Sequence, residues 1–468
     1  MKVKFKNLGP IKNGEFDIRD LKNINLIVGP NNSGKTYLTY LIYTIYKVMS
    51  GITLRKCSMI ERISKEENIT ITEEDYQEII SNYCNSFEKS IKRNLPFVFH
   101  TQGDFFKEFE VKISLEEEKS FLKELEGSLT AYSMARNMFI HVIKKQDRLE
   151  FSMLPSEEKI GIEDIETGNL LKFRSKYGIS LITDFLKETE ITQLIVTVLD
   201  SFLGNYLFKN ANIVSFPAER SGGALFYKQL LQERSDVLRT LEIKKIRGSF
   251  DKISRYSEPI NDYIKFLNFS RDFQENKKRD IFLKASKNIQ DILGGNIEIK
   301  ENDIIYKCQN QKELNMELVS STVKSLAGFF LYLKYRAKKG DIVIIDEPEL
   351  NLHPENQRKL FRLFALLSNL GIHFILSTHS PIIISELNNE LLFQNIKKEK
   401  ENLEELEQEY RIHKEDYGLE AEKVNIWFLH DGSMELLDKK EGRIDVDTFD
   451  NITGEMYNLY NDLLFQGE

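Results

Sequence analysis

The sequence predicts an α/β fold, and three observations carry that reading. A glycine-rich turn at residues 29–36 sits between a buried-strand pattern and a helix pattern. From Val319 to Leu387, helix and buried-strand patterns alternate, as they do where helices cover a parallel sheet. Elsewhere, short runs of period-two alternation read as half-buried antiparallel strands. The expected architecture is an antiparallel β lobe, a parallel-sheet core and an inserted helical part.

In chain order, Val3 and Phe5 alternate with lysines, and Phe16 and Ile18 alternate with Glu15 and Asp17. Ile24 to Val28 is a continuous apolar run suited to a buried strand. Leu38, Leu41, Ile42 and Ile45 recur at helical spacing between Thr36 and Val48. Phe109, Val111, Ile113 and Leu115 alternate with polar residues, as do Leu149, Phe151 and Met153. Residues 165–293 read as helical apart from a short strand at Ile213 to Phe216, and no heptad persists long enough for a coiled coil. Residues 397–420 are rich in Lys and Glu and read as a solvated helix or surface excursion. The runs Ile426–Leu429 and Met434–Leu437 are joined by Asp431-Gly432, a hairpin signal. These patterns divide the chain into 1–160 (β lobe and glycine-rich turn), 161–318 (mainly helical, with the strand near 213–216), 319–390 (α/β core) and 391–468 (charged excursion and β segment).

The 468 residues are 41% apolar and 29% charged, inside the globular range and outside the disordered one. Sixty-five Lys and Arg against 73 Asp and Glu give a formal charge of −8. That excludes a protein that coats nucleic acid by bulk charge. Cys57, Cys84 and Cys308 lie far apart. They build neither a disulfide framework nor a CxxC metal knuckle, and are expected as buried apolar fillers in a reducing compartment. No apolar run approaches the ~18 residues that span a bilayer. The alternating start of the chain also lacks the apolar core of a signal peptide. A cytoplasmic location with no membrane partner is expected.

Gly29-Pro-Asn-Asn-Ser-Gly34-Lys35-Thr36 matches G-x-x-x-x-G-K-[ST] after a strand and before a helix, the context a phosphate-binding loop requires. The glycines let Gly29, Pro30, Asn31, Asn32, Ser33 and Gly34 curl so that backbone N–H groups face phosphate oxygens. The following helix adds its positive dipole end. Lys35 then reaches the β- and γ-phosphates of ATP, and the Thr36 hydroxyl is placed to ligate Mg²⁺. Asp341-Ile-Val-Ile-Ile-Asp346-Glu347-Pro348 supplies the acidic partner. Its carboxylates sit at the C-terminal end of a buried strand, where α/β sheets place ligands. Asp346 is expected to hold Mg²⁺ through its water shell, and Glu347 to act as general base on the attacking water. Phe374-Ile-Leu-Ser377 runs into Thr378-His379-Ser380-Pro381, so His379 is expected at the same sheet edge, within reach of a γ-phosphate.

Asp346 lies 311 residues beyond Lys35 (346 − 35), a gap that small ring ATPases and GTPases do not have. The segments GPNNSGKT (29–36), IIDEPELNLHPENQ (344–357) and LSTHSP (376–381) resemble the ABC-type heads of the RecF, SMC and OLD group. More closely they resemble the AAA-class, OLD-like ATPases of bacterial antiphage systems such as the Septu-like, retron-associated and PARIS-like ones. The resemblance implies a signature segment whose helix start contacts the γ-phosphate of a partner subunit. The match is Val319-Ser-Ser321-Thr322-Val-Lys324-Ser325-Leu326, with Ser321 as the phosphate contact and Lys324 as a second; Thr322 stands where the family has glycine. The turn from Glu349 to Pro354 matches the family loop at the dimer interface. Glu219 and Arg220, after the strand at 213–216, stand where such heads carry a glutamine loop. They imply either a structural ion pair or nucleotide sensing, with Gln102 as a weaker candidate for the same role.

The resemblance implies ATP and Mg²⁺ held between two copies of the chain, in a homodimer or higher assembly. OLD nucleases append a metal-dependent nuclease domain. Here 89 residues follow His379 (468 − 379), and the acidic cluster Asp445, Asp447 and Asp450 reads as a solvated turn. The expectation is an ATPase without its own nuclease, controlling a separately encoded nuclease or toxin in response to DNA or another phage-derived trigger. The alternative is a RecF-like repair ATPase that binds DNA directly, for which Lys244-Lys245-Ile-Arg247 and Lys277-Lys278-Arg279 would supply basic faces.

Overall fold

Nine strands join in one sheet whose two halves run differently. The computed structural model describes residues 1–49, 68–115, 127–133, 138–145, 148–155, 212–243, 256–269, 280–300, 303–310, 312–399, 405, 408 and 417–438. The first elements are β1 (Lys2–Leu8), β2 (Ile11–Asp17), β3 (Ile24–Val28), α1 (Lys35–Met49), β4 (Asn68–Thr70), α2 (Glu73–Val98) and β5 (Glu110–Ser114). Then come β6 (Gly127–Ser133), β7 (Met138–Lys145), β8 (Arg148–Pro155), β9 (Ile213–Phe216), α3 (Arg220–Ile243), α4 (Glu258–Phe269) and α5 (Asp280–Leu293). After β10 (Gly295–Lys300), β11 (Asp303–Cys308) and β12 (Glu313–Asn315) the chain enters α6 (Ser321–Tyr335), β13 (Ile342–Asp346), α7 (Pro354–Asn369) and β14 (His373–Thr378). It continues through α8 (Pro381–Glu399) to β15 (Val424–His430) and β16 (Ser433–Leu436).

The large sheet runs β5-β1-β2-β16-β15-β3-β14-β13-β9. From β9 to β15 every neighbouring pair is parallel. The β1–β2, β1–β5 and β15–β16 pairs are antiparallel. This is an antiparallel lobe continuous with a parallel core. Apolar side chains explain the burial: every residue of β3 and of β13 is buried, as a strand covered on both faces requires. One face packs α1 and α2 against β1, β2 and β5. The other packs α4 to α8 around Phe329, Phe361, Phe364 and Phe374. Separate small sheets order as β4-β8-β7-β6 and β10-β11-β12.

The hairpin expected at Asp431-Gly432 forms, with φ of 48° and 78° at the two turn residues, the left-handed pair of a type I′ turn. Gly432 O accepts from Lys12 N at 2.7 Å, fastening the hairpin to β2. The three strands over 295–315 depart from expectation, since that stretch falls in the range that reads as mainly helical. Ile297 and Ile299 in β10, and Ile304 and Tyr306 in β11, give too few alternations for the period to declare itself. Cys84 and Cys308 are half-buried at the rims of the two clusters rather than core fillers. Cys57, both basic clusters (244–247 and 277–279), Asp445, Asp447, Asp450, residues 165–211 and most of 397–420 lie outside the described residues. Among the described residues, no helix is long and apolar enough to cross a membrane.

Behind the core, α7 and α8 are locked by a buried carboxylate. Glu386, 1% exposed, accepts from Arg358 Nε at 2.9 Å, from Tyr417 Oη at 2.8 Å and from Arg362 Nε. Burial alone would push its carboxyl up, but Arg362 and the hydrogen bonds hold it below the usual carboxylate range. A depressed folded-state pKa stabilises above the unfolded value of about 4.3 and is lost as pH falls through the folded one. Urea unfolding of wild type should therefore weaken steeply from pH 5 downward. Glu386→Gln, which breaks a buried pair at a cost of about 3–5 kcal/mol, should show a shallower acid slope. Equal slopes would refute the assignment.

Candidate functional site

The C-terminal ends of β3, β14 and β13 lie side by side, with Val28 opposite Thr378 and Asp346 opposite Ser377. That register carries the turn at 29–34, the acidic pair and His379 to one edge. At the turn, Gly29 has φ 154° and Gly34 φ 101°, regions that favour glycine. Pro30, Asn31 and Asn32 are exposed on the rim, and Ser33 is half-buried. Lys35, the first residue of α1, is buried and donates its Nζ to Gly29 O at 2.9 Å and Pro30 O at 2.8 Å. Burial lowers its pKa, and the carboxylates of Glu347, Asp346 and Glu349 oppose that shift.

Thr36 Oγ1 donates to Asp346 Oδ2 at 2.9 Å across 310 residues of chain. Ser377 Oγ donates to the other carboxylate oxygen. Burial raises the Asp346 pKa, and these two hydroxyls pull the other way. One hydroxyl and one carboxylate suit Mg²⁺, which takes few protein oxygens and completes its shell with water and substrate phosphates. No cluster of three or more His, Cys, Asp or Glu forms a metal cage among the described residues.

Glu347 stands at φ 47°, uncommon for a residue with a side chain. Its N–H is held by Ser377 O at 3.1 Å and Ser377 Oγ at 3.1 Å. His379 Nδ1 lies 3.5 Å from Glu347 Oε1 and 3.7 Å from Glu349 Oε1, beyond hydrogen-bond length. Glu349 is buried, and its Oε1 accepts from Thr378 Oγ1 at 2.6 Å and from His379 N at 3.0 Å. It fixes the backbone that carries the histidine.

The structure thus brings Lys35, Thr36, Asp346, Glu347 and His379 together. The signature segment approaches through its helix. Ser320, not Ser321, caps α6, its Oγ accepting from Val323 N at 3.3 Å. Ser321 is exposed at the first helical position. Lys324 Nζ donates to Glu317 O at 3.3 Å. Thr322 Oγ1 donates to Asn351 O at 3.0 Å and Ser325 Oγ to Leu350 O at 3.3 Å, tying the helix start to the turn after Glu349. Glu219 is exposed. Arg220 is 1% exposed, and neither an ion pair nor a direct nucleotide contact fits it: all its hydrogen bonds go to backbone carbonyls. Gln102 is exposed before a short 3-10 turn, with no side-chain capping bond, and no hydrogen bond ties it to the groups above. Sequence patterns do not single out Ser377 or the role of Glu349. Their only signal is a hydroxyl and a carboxylate near two strand ends.

The family described as "AAA ATPase domain" matches residues 1–384. An OLD nuclease of Thermus scotoductus is 27% identical over 157 residues, which is 33% of this chain and 27% of that protein. The chain therefore matches about a quarter of the curated relative's length. Among solved structures, the SMC head domain from Thermotoga maritima has 12% identity and a TM-score of 0.28, over 94% of this chain and 98% of that one. An Smc head bound to the C-winged helix domain of ScpA has 12% identity and a TM-score of 0.31, over 93% and 96%. With a family match over most of its length and the site motifs joined on one sheet edge, the chain belongs to the AAA ATPase domain family.

Proposed function

We propose that the chain binds Mg²⁺–ATP at residues 29–36 and hydrolyses it between two copies of itself, and that this cycle controls a separately encoded nuclease or toxin in antiviral defence. The observation that carries hydrolysis is the meeting of Thr36, Asp346 and Ser377 with Glu347 and His379 at one edge. When bound, Mg²⁺ supplies charge neutralisation at the β- and γ-phosphates, and Thr36 and Asp346 would hold it. Lys35 exchanges its two carbonyl partners for phosphate oxygens. Glu347 accepts the proton of the attacking water, and His379 senses the γ-phosphate from beside it. Ser321 and Lys324, at the outer start of α6, would face the partner's nucleotide. The defence role is supported by the resemblance to OLD-like antiphage ATPases.

Purified protein should release phosphate from ATP in the presence of Mg²⁺, and sedimentation with ATP should show at least a dimer. Protein that neither hydrolyses nor assembles refutes the ATPase cycle. For the effector, phage plating with the chain and its neighbouring reading frame should show protection that either gene alone lacks. Protection by the chain alone refutes a separate effector.

A further inference from the structure

A guanidinium has five N–H donors in a planar fork, and the Arg220 fork spends all five on carbonyl oxygens. Nε donates to Ser325 O at 3.1 Å. Nη1 donates to Pro217 O at 3.3 Å and Asp346 O at 2.6 Å. Nη2 donates to Glu347 O at 2.7 Å and Pro348 O at 3.1 Å. No carboxylate lies within ion-pair distance among the described residues. A buried charge held only by main chain is costly to desolvate, so its geometry must serve the segments it binds. Those segments are the exit of β9, three consecutive peptide planes after β13, and the first turns of α6.

The three planes carry the left-handed Glu347, whose backbone would relax without an outside hold. The Ser325 carbonyl belongs to the helix whose start bears Ser321 and Lys324. We infer that Arg220 is a positioning residue: it sets the Glu347 carboxylate at the site edge and couples that placement to the start of α6. The inference rests on the hydrolysis proposed above. It gives Arg220 no contact with nucleotide and makes its action run through Glu347. Lysine cannot replace it, because one ammonium cannot reach carbonyls of three segments.

The test compares wild type, Arg220→Lys, Glu347→Gln and the double variant in steady-state ATP hydrolysis. Thermal unfolding and fluorescent ATP-analogue binding check that each is folded. Misplacing a catalytic group by about 1 Å costs on the order of 10²-fold. Arg220→Lys should therefore lower kcat about 10–100-fold with KM within about twofold, and should cost nothing further in the Glu347→Gln background. A raised KM with kcat kept, or a further loss in the double variant, overturns the inference. Inactive wild type instead overturns the hydrolysis reading. Should Arg220→Lys not fold, hydrogen exchange on the wild-type chain decides. At concentrations that keep it monomeric, Mg²⁺–ATP should slow exchange in 346–352 and 321–326 together, and protection confined to 346–352 overturns the coupling.

Discussion

Glu347→Gln is expected to lower kcat by about 10²–10⁴-fold, the range a positioned general base supplies, while ATP binds as tightly as before. Glutamine keeps the length and shape of the side chain and removes its negative charge and with it the capacity to take a proton. The backbone at 347 is held independently of that group, by Ser377 on the N–H side and Arg220 on the carbonyl side. The phosphate loop keeps its hydrogen bonds, because Lys35 and Thr36 bond to Gly29, Pro30 and Asp346, and the lost charge at 347 only relieves repulsion of the incoming phosphates. Binding without turnover should therefore accumulate ATP-bound assemblies, read by sedimentation after gel filtration with radiolabelled ATP. Asp346→Asn makes the contrast: it disturbs the group that Thr36 and Ser377 share, so affinity should fall along with rate. A Glu347→Gln chain that turns over within about tenfold of wild type removes Glu347 from the role of base.

The contrast between these residues also shows how much of the site is legible in the sequence. Lys35, Thr36, Asp346, Glu347 and His379 announce themselves because each follows a strand pattern at short range, and strand ends on one parallel sheet share an edge. The sheet partners do not announce themselves. β15 pairs with β3 in parallel register, Val424 opposite Ile24, and nothing in the hydrophobic period of either strand names the other. For the same reason Arg220 reads in the sequence only as part of a structural ion pair or of a nucleotide-sensing pair with Glu219. What defines it is burial among carbonyls more than 100 residues away, those of Ser325, Asp346, Glu347 and Pro348, and burial emerges only once three distant segments converge. Ser377 is the milder case. Its hydroxyl matters because β14 lies between β3 and β13, which places it midway between the phosphate loop and the acidic pair.

Gly29→Ala is expected to cost the site its nucleotide and the core part of its stability. A Cβ at this position would stand 2.4 Å from Leu429 O and 2.8 Å from Ser33 Oγ. The first neighbour is backbone, in the strand paired with β3, and cannot swing aside as a side-chain tip would. The chain must either part β3 from β15 or move the loop off φ 154°. The first course breaks the sheet ladder beside Phe428 and Val28, which are opposite one another. The second turns the loop N–H groups away from phosphate. Strain of this kind is worth about 1–3 kcal/mol before any clash is added, so chemical unfolding should show a loss at least that large, with ATP-analogue affinity down by about 10²-fold. Gly34→Ala should be milder, since its Cβ meets the side chain of Ile11 at 2.7 Å, which has rotamers to yield with. Gly222, inside α3 with no atom within 4 Å of its Cβ position, calibrates the comparison. Gly222→Ala should leave nucleotide binding intact and gain roughly 0.5–1 kcal/mol from helix propensity. If Gly29→Ala behaves like Gly222→Ala, the close approach of β15 to the phosphate loop does not shape the nucleotide site.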